Sequence, residues 1–187
     1  AISGLHIGII YLVLNGVLSI LHAIPWGKQL KYFIILLALQ AYMFATGASP
    51  AVVRAVIMFS AILVFRLSAQ RYHILNVVAL SALIQILVKP DIIHEVGFQL
   101  SYLAVIGIVW LYPRFEQIFE EEPWLVRNVM AALGVSLFAT LFTAPVIGVV
   151  FGKFPTYFLI TNLFITIVSF VTVLSGFLTL CFCWLSP

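Results

Sequence analysis

The segment Lys89-Pro-Asp-Ile-Ile-His-Glu-Val-Gly-Phe-Gln-Leu-Ser-Tyr-Leu103 changes from charged to apolar within its own length. A lysine, an aspartate, a histidine and a glutamate lie between Lys89 and Glu95, and a largely apolar run follows. Charges beside a long apolar run are typical of the end of a membrane-spanning helix, because charged side chains stay near water. The segment therefore predicts a membrane boundary with a polar face behind it, and Gly97, Gln99 and Ser101 lie on the helix that enters the membrane there.

The composition of the whole chain supports this interpretation. Hydrophobic residues make up 64% of the chain and charged residues 8%, whereas about 25% are charged in an ordinary soluble domain. So few polar residues cannot cover the apolar surface of a soluble fold of this size. The predicted fold is therefore all-α, a polytopic transmembrane helical bundle.

About seven apolar segments are predicted, several of them short or broken. They are Leu5–Ile24, Tyr32–Ala45, Ala51–Leu67, Ile74–Val88, Gly97–Tyr112, Asn128–Val150 and Tyr157–Leu185. The second and fourth are short for a span, which needs about 20 residues. The seventh is long enough to be tilted, or broken near Ser169 or Ser175-Gly176. Gly47 and Pro50 mark a break before the third segment, and Pro145 lies near the end of the sixth.

Basic residues in the connections predict the orientation. If the segments alternate, one side of the membrane receives most of them, namely Lys28, Lys31, Arg66, Arg71, Arg114 and Arg127. The positive-inside rule makes that side cytoplasmic and puts the amino terminus outside. A segment that turned back would reverse the assignment after it. The chain begins with alanine and lacks a signal peptide pattern, so residues 1–187 are expected to be a piece of a longer protein.

Charge and polarity inside apolar segments identify the first candidate functional residues. Arg54 lies one turn into the third segment. It either lines a water-filled path that attracts an anion, or snorkels to the interface or pairs with a carboxylate. His6, with Ser3 and Gly4, gives the first segment a polar start. A histidine in such a place is more often a hydrogen-bonded packing residue than a ligand, and Gly4 allows close approach of another helix.

The remaining polar residues do not form a recognisable reaction centre. Asp91, His94 and Glu95 lack the spacing of a zinc helix and a second ligand cluster, so neither a metal nor another cofactor is expected. No nucleophile and base are paired as in a hydrolase, so an enzyme is not expected. Gln99 and Asn162 either line a polar path or hydrogen-bond neighbouring helices. The residues alone indicate a channel or transporter.

Four stretches, in order, resemble the competence domain of ComEC-type DNA-internalisation proteins. They are the Ser-Gly-Leu-His start at residues 3–7, the Gly-x-Ser-x-x-x-x-Arg-Ala segment at 47–58, the Pro-then-Gly-Phe-Gln-Leu-Ser block at 89–102, and the Ala-Pro, aromatic and Asn region at 143–162. The matches cover most of the chain. One departure is that the proline usual in the family a few residues after the asparagine is missing from Leu163 to Phe170.

The resemblance implies passage of single-stranded DNA across the bacterial cytoplasmic (inner) membrane during natural transformation. It also implies other competence-machinery proteins as partners, and it is compatible with a homo-oligomer. Family members carry OB-like and often metallo-β-lactamase-like domains that are not in this chain, so conduction, not hydrolysis, is expected of it. The expected DNA path contains Ser3, His6, Arg54, Glu95, Gln99, Ser101 and Asn162.

Two alternatives remain open from the sequence. A secondary transporter or small-solute channel would also use discontinuous helices and polar residues near the membrane midplane. A membrane scaffold would use the same polar residues only to hold its helices together.

Overall fold

The computed structural model describes residues 4–23, 26–67, 73–119, 121–152 and 158–185. Regular structure in these ranges is helical, which confirms the predicted all-α fold. Three short 3₁₀ helices lie at Leu18–Ala23, Pro90–His94 and Gln117–Phe119. The α-helices of the described residues are α1 (Gly4–Val17), α2 (Gly27–Ala45), α3 (Pro50–Leu67), α4 (Ile74–Val88), α5 (Val96–Glu116), α6 (Trp124–Phe151) and α7 (Phe158–Leu185).

Three stretches among these helices are long and apolar enough to cross a membrane, at Pro50–Leu67, Val96–Phe119 and Val126–Phe151. Shorter apolar helices accompany them, including Ile74–Val88. Helices of this kind span a bilayer because they satisfy their own backbone hydrogen bonds where no water is present. The chain is therefore a membrane protein.

The start of α2 differs from the prediction. The second segment was expected to begin at Tyr32, with Lys28 and Lys31 in the connection before it, but α2 already begins at Gly27. Lysine is a good helix former, and its methylene stem packs on apolar neighbours. Lys31 is accordingly only 3% exposed, on a stripe of α2 whose other buried members are Gly27, Ile35 and Leu39.

Prolines and small residues interrupt the helices less than the sequence suggests. Pro113 lies inside α5, which continues to Glu116, and Pro145 lies inside α6, which continues to Phe151. The helix α7 runs without a break through Ser169 and Ser175. In an apolar environment a helix that stopped would leave backbone groups without partners, which favours continuation.

The chain divides into two compact units. The first unit contains residues 1–71 and 165–187, and the second contains residues 72–164. The core of the first unit lies between α1, α2 and α3 and is built from Ile7, Tyr11, Ile35, Leu39, Val52, Val56 and Leu63. Gln40 Nε2 also donates a hydrogen bond to Ser60 Oγ at 3.2 Å, which joins α2 to α3.

In the second unit, α5 and α6 cross at two glycines. A Cβ atom on Gly107 would lie 2.7 Å from the Phe138 carbonyl oxygen and 2.7 Å from Phe142 Cγ. A Cβ atom on Gly134 would lie 2.7 Å from the ring of Phe115. Glycine lets the two backbones come this close, and the phenylalanine rings fill the space beside them.

Candidate functional site

Arg54 is buried on the side of α3 that faces away from the apolar core. Its side chain is 6% exposed. Val52 and Val56, both in the core, are each two positions away, which on an α-helix is about 200° around the axis. An arginine that snorkelled to the membrane surface would be exposed, so the burial of Arg54 argues against that alternative.

The first unit has an unusual charge composition. Its cations are Lys28, Lys31, Arg54, Arg66 and Arg71, and it contains no Asp or Glu side chain. Every Asp and Glu of the chain lies between Asp91 and Glu122, in the second unit. All charged side chains of the first unit are therefore positive. Two of them, Lys31 and Arg54, are buried.

The helices α1 and α3 pack through small residues. A Cβ atom on Gly4 would lie 3.5 Å from Ala55 Cβ, and one on Gly8 would lie 3.7 Å from the Phe59 ring. His6 is two positions from each glycine, so it lies on the far side of α1 from this contact. His6 is half-buried, while Ser3 lies outside the described residues.

Arg66 connects α3 to α1 at the other end of the contact between these two helices. Its Nη1 donates a hydrogen bond to the Tyr11 hydroxyl at 2.8 Å, and the Tyr11 ring packs on Phe59 at a centroid distance of 5.2 Å. An arginine at the last turn of a helix also interacts favourably with the helix dipole. Arg66 therefore joins α3 to α1, a role that the sequence did not indicate.

The polar residues predicted at the start of α5 make local contacts. Glu95 Oε1 accepts a hydrogen bond from Lys89 Nζ at 2.6 Å. This hydrogen bond and the charge of Glu95 raise the pKa of Lys89 above its usual value. Gln99 Nε2 donates to the Ile93 carbonyl at 2.9 Å, and Ser101 Oγ donates to the Gly97 carbonyl at 2.8 Å. The charge of Glu95 is thus balanced by Lys89.

Three residues that were predicted to break or start helices lie at helix ends. Two are at the turn between α2 and α3, and one is at the start of α5. Gly47 has a φ of 75° and Ala48 a φ of 48°, in the turn that separates α2 from α3. Glycine adopts a positive φ without steric cost. Pro50 is the first residue of α3, where a missing backbone N–H is tolerated. Gly97 is the second residue of α5.

Asn162 joins two helices. Its Nδ2 donates a hydrogen bond to Ser136 Oγ at 2.8 Å, between α7 and α6. Such bonds hold transmembrane helices together because lipid offers polar groups no other partner. This contact matches the alternative in which Asn162 binds a neighbouring helix.

A buried polar cluster between α4 and α5 was not predicted. Gln85 Nε2 donates to the Tyr102 hydroxyl at 2.5 Å and to the Ser81 carbonyl at 3.2 Å. Ser81 Oγ donates to the Val78 carbonyl at 2.8 Å and lies 3.1 Å from the Tyr102 hydroxyl. Gln85 Oε1 is buried and accepts no hydrogen bond from the described residues. The sequence signal was the spacing of Ser81 and Gln85, which puts both on one face of α4.

The predicted path residues fall into different parts of the molecule. Glu95, Gln99 and Ser101 lie together at the start of α5, in the second unit. Asn162 is in the second unit as well, whereas His6 and Arg54 belong to the first unit. Arg54 therefore differs from the others, because it is a buried cation on a helix long enough to span the membrane.

Comparison with known proteins identifies relatives of the chain. A family model described as Competence protein matches residues 1–187. ComE operon protein 3 of Bacillus subtilis (strain 168) is 30% identical over 155 residues, which are 82% of this chain and 19% of that protein. The chain thus spans about a fifth of the length of this curated relative. No solved structure matches the chain.

Proposed function

The chain belongs to the Competence protein family, and on that premise we propose that it forms the membrane-spanning part of a channel that passes single-stranded DNA into the cell during natural transformation. The observation that carries the proposal is Arg54, a buried cation in a unit whose charged side chains are all basic. Ionisable groups inside a membrane protein usually mark the path of an ion or substrate. A polyanion is the substrate that such a path attracts.

The negative charge of Glu95, at the start of α5 in the second unit, does not oppose the passage of DNA. Glu95 would repel phosphates if its charge were unbalanced, but Lys89 Nζ lies 2.6 Å from its carboxylate. Gln99, Ser101 and Asn162 give hydrogen bonds to protein groups in this state. Arg54 is the strongest candidate for contact with DNA, because it is a buried cation on a helix long enough to span the membrane.

The channel activity is conduction, and hydrolysis is not part of the proposal. Sliding of a strand requires weak contacts with backbone phosphates and with bases. The two larger cavities described, of about 420 and 340 Å³, are lined mainly by aliphatic side chains. A transporter of small polar solutes instead needs several convergent polar groups in its pocket. Neither of these two cavities has such groups, which counts against a small-solute site in them.

The proposed location is the cytoplasmic membrane, with the amino terminus of the chain outside. The turn Thr46–Ser49 connects α2 to α3, so the start of α2 and the end of α3 lie at the same end of this pair. Lys28, Lys31 and Arg66 lie at that end. Basic residues favour the cytoplasmic side. The proposed partners are single-stranded DNA, other proteins of the competence machinery, and further copies of the chain.

Uptake of labelled single-stranded DNA by cells carrying Arg54→Ala tests the proposal. We expect uptake to fall by about ten- to a hundredfold, because a hydrogen bond to a charged group contributes about 1.5–3 kcal/mol and each 1.36 kcal/mol is a factor of about ten. Arg54→Lys, which keeps the charge, should retain more uptake than Arg54→Ala. Arg114→Ala is the matched control, since Arg114 is exposed and, within the described part of the chain, donates a hydrogen bond to the Trp110 carbonyl of its own helix at 3.1 Å.

Each variant must be present in the membrane at the wild-type level, as measured by immunoblot. If Arg54→Ala cells at that level took up DNA as well as Arg114→Ala cells, Arg54 would not lie on the DNA path. If both variants lost uptake equally, the effect would reflect loss of positive charge in general, and the assignment to Arg54 would also be wrong.

A further inference from the structure

The polar cluster between α4 and α5 has a fixed direction for each of its hydrogen bonds. The Ser81 hydroxyl donates to the Val78 carbonyl at 2.8 Å, so Tyr102 is the donor at the 3.1 Å contact between its hydroxyl and Ser81 Oγ. Gln85 Nε2 donates to the Tyr102 hydroxyl and to the Ser81 carbonyl. A carbonyl oxygen only accepts, so the Gln85 amide cannot turn over without bringing two acceptors together.

This arrangement leaves the side-chain carbonyl of Gln85 without a donor. The oxygen accepts no hydrogen bond from the described residues, and less than 1 Å² of its surface is accessible. That leaves no room for a water molecule beside it. A buried acceptor without a donor raises the free energy of the state that contains it. The cost disappears only if the contact between α4 and α5 changes.

The apolar packing between the same two helices is also incomplete. A cavity of about 340 Å³ lies between them, lined in part by Ala79 and Ala82 of α4 and by Phe98 and Tyr102 of α5. Side chains that face such a space lose the contacts that close packing would give them. The contact between α4 and α5 therefore lacks both a hydrogen-bond donor and part of its packing.

Of the two helices, α4 is held less firmly. Within the second unit it packs on α5 and on the 3₁₀ helix Pro90–His94. The helix α5 is also held against α6 at Gly107, where the backbone of α6 comes close. With 15 residues, α4 is about 22 Å long, whereas the hydrocarbon core of a bilayer is about 30 Å thick. Movement of α4 away from α5 thus leaves the contact between α5 and α6 intact.

We propose that α4 and α5 form a two-state contact. In the closed state, described here, Gln85 and Tyr102 hold the helices together and the Gln85 carbonyl lacks a donor. In the open state α4 moves away from Tyr102, and water reaches that carbonyl. Ser81, Gln85 and Tyr102 then line a hydrated crevice within the second unit. Hydration of these groups offsets the lost hydrogen bonds, so the two states lie close in free energy. The proposal does not rest on the passage of DNA.

Hydrogen–deuterium exchange of the whole chain in lipid nanodiscs tests this proposal, with the exchange of each peptide measured by mass spectrometry. A helical amide inside a bilayer exchanges only when its hydrogen bond opens and water reaches it. The rate therefore reports the population of the open state. We expect the amides of residues 78–85 in α4 to exchange at least about tenfold faster than those of residues 134–142 in α6.

The variant Gln85→Leu distinguishes a two-state contact from a cluster that only holds the helices together. Leucine removes the carbonyl that has no donor, while the Tyr102 hydroxyl keeps Ser81 Oγ as its acceptor. We therefore expect the closed state to be favoured and exchange in α4 to become at least about tenfold slower. If the cluster only held the helices together, loss of its hydrogen bonds would make exchange faster. Gln85→Met, with an unbranched side chain, should act in the same direction.

The matched control is Gln40→Leu, which removes the hydrogen bond from α2 to Ser60 of α3 in the first unit. It should leave exchange in α4 unchanged. Three results would overturn the proposal. The first is wild-type exchange in α4 that is as slow as in α6, and the second is exchange in α4 that neither Gln85 variant slows. The third is equal slowing by Gln40→Leu and Gln85→Leu, which would reflect added hydrophobicity in general.

Discussion

Replacing Gly107 by alanine should separate α5 from α6. The added Cβ atom would lie 2.7 Å from both the Phe138 carbonyl oxygen and Phe142 Cγ. The Phe142 ring can rotate away, but the carbonyl belongs to the backbone of α6, so the helices themselves must move. Overpacking of this kind costs about 1–3 kcal/mol.

The control for Gly107→Ala is Gly148→Ala, because a Cβ atom there meets nothing within 4 Å. Exchange of glycine for alanine in a helix also stabilises by up to about 1 kcal/mol through backbone entropy. This gain is common to both variants and cancels when they are compared. We therefore expect Gly107→Ala to be less stable than Gly148→Ala by about 1–3 kcal/mol.

The free energy of unfolding can be measured by titrating sodium dodecyl sulfate into mixed micelles and following the helical circular dichroism. Equal stability of Gly107→Ala and Gly148→Ala would refute the close approach of the two helices. Adding Phe142→Leu to Gly107→Ala removes the ring but leaves the Phe138 carbonyl, so stability should recover only in part. Full recovery would show that the ring alone had been the obstacle.

The same measurement checks three further predictions. Tyr102→Phe should cost about 1–3 kcal/mol, because it leaves the buried amide of Gln85 without the hydroxyl that it contacts at 2.5 Å, and adding Gln85→Leu should restore most of the loss. Tyr11→Phe should cost less, about 0.5–1.5 kcal/mol, because the exposed Arg66 can bind water instead. A double-mutant cycle on Asn162→Ala and Ser136→Ala should give a coupling energy of about 0.6 kcal/mol, and a coupling indistinguishable from zero would contradict the bond between α6 and α7.

Helix positions could be predicted from the sequence where charged residues or prolines bound an apolar run. The fourth segment was predicted at Ile74–Val88, and α4 occupies those residues, because His73 and Lys89-Pro90 limit it on both sides. The prediction was wrong at the start of α2, since a lysine can stop a membrane span without stopping a helix. Lys31 shows the difference, because it is helical and buried.

The end of α5 was predicted too early for a similar reason. Pro113 suggested a stop after Tyr112, but the helix extends to Glu116. A proline removes one backbone hydrogen bond and disfavours the helical conformation in the residue before it. Packing of the Phe115 ring on Phe138, at a centroid distance of 5.5 Å, stabilises this last turn. Such a contact depends on the position of α6, which periodicity in α5 does not contain.

The candidate site was predictable in its residues but not in their partners. Arg54 stands out in the sequence as a charge in an apolar run, and it is buried. Ser101 and Gly97 are four residues apart, so a bond from the serine hydroxyl to its own helix could have been anticipated. The bond from Asn162 to Ser136 joins residues far apart in the chain. A single sequence gives no information about which distant residues meet.

The glycine crossing of α5 and α6 also bears on the biogenesis of the protein. Residues 117–123 are all that separates the two helices along the chain, and the contact described at Gly107 and Gly134 involves rings and backbone. Contacts between neighbours in sequence form quickly, and chains fold from the amino-terminal side as they are synthesised. The hairpin of α5 and α6 can therefore associate in the bilayer while α7 is still being translated. The hydrogen bond from Asn162 of α7 to Ser136 of α6 then forms after this hairpin has assembled.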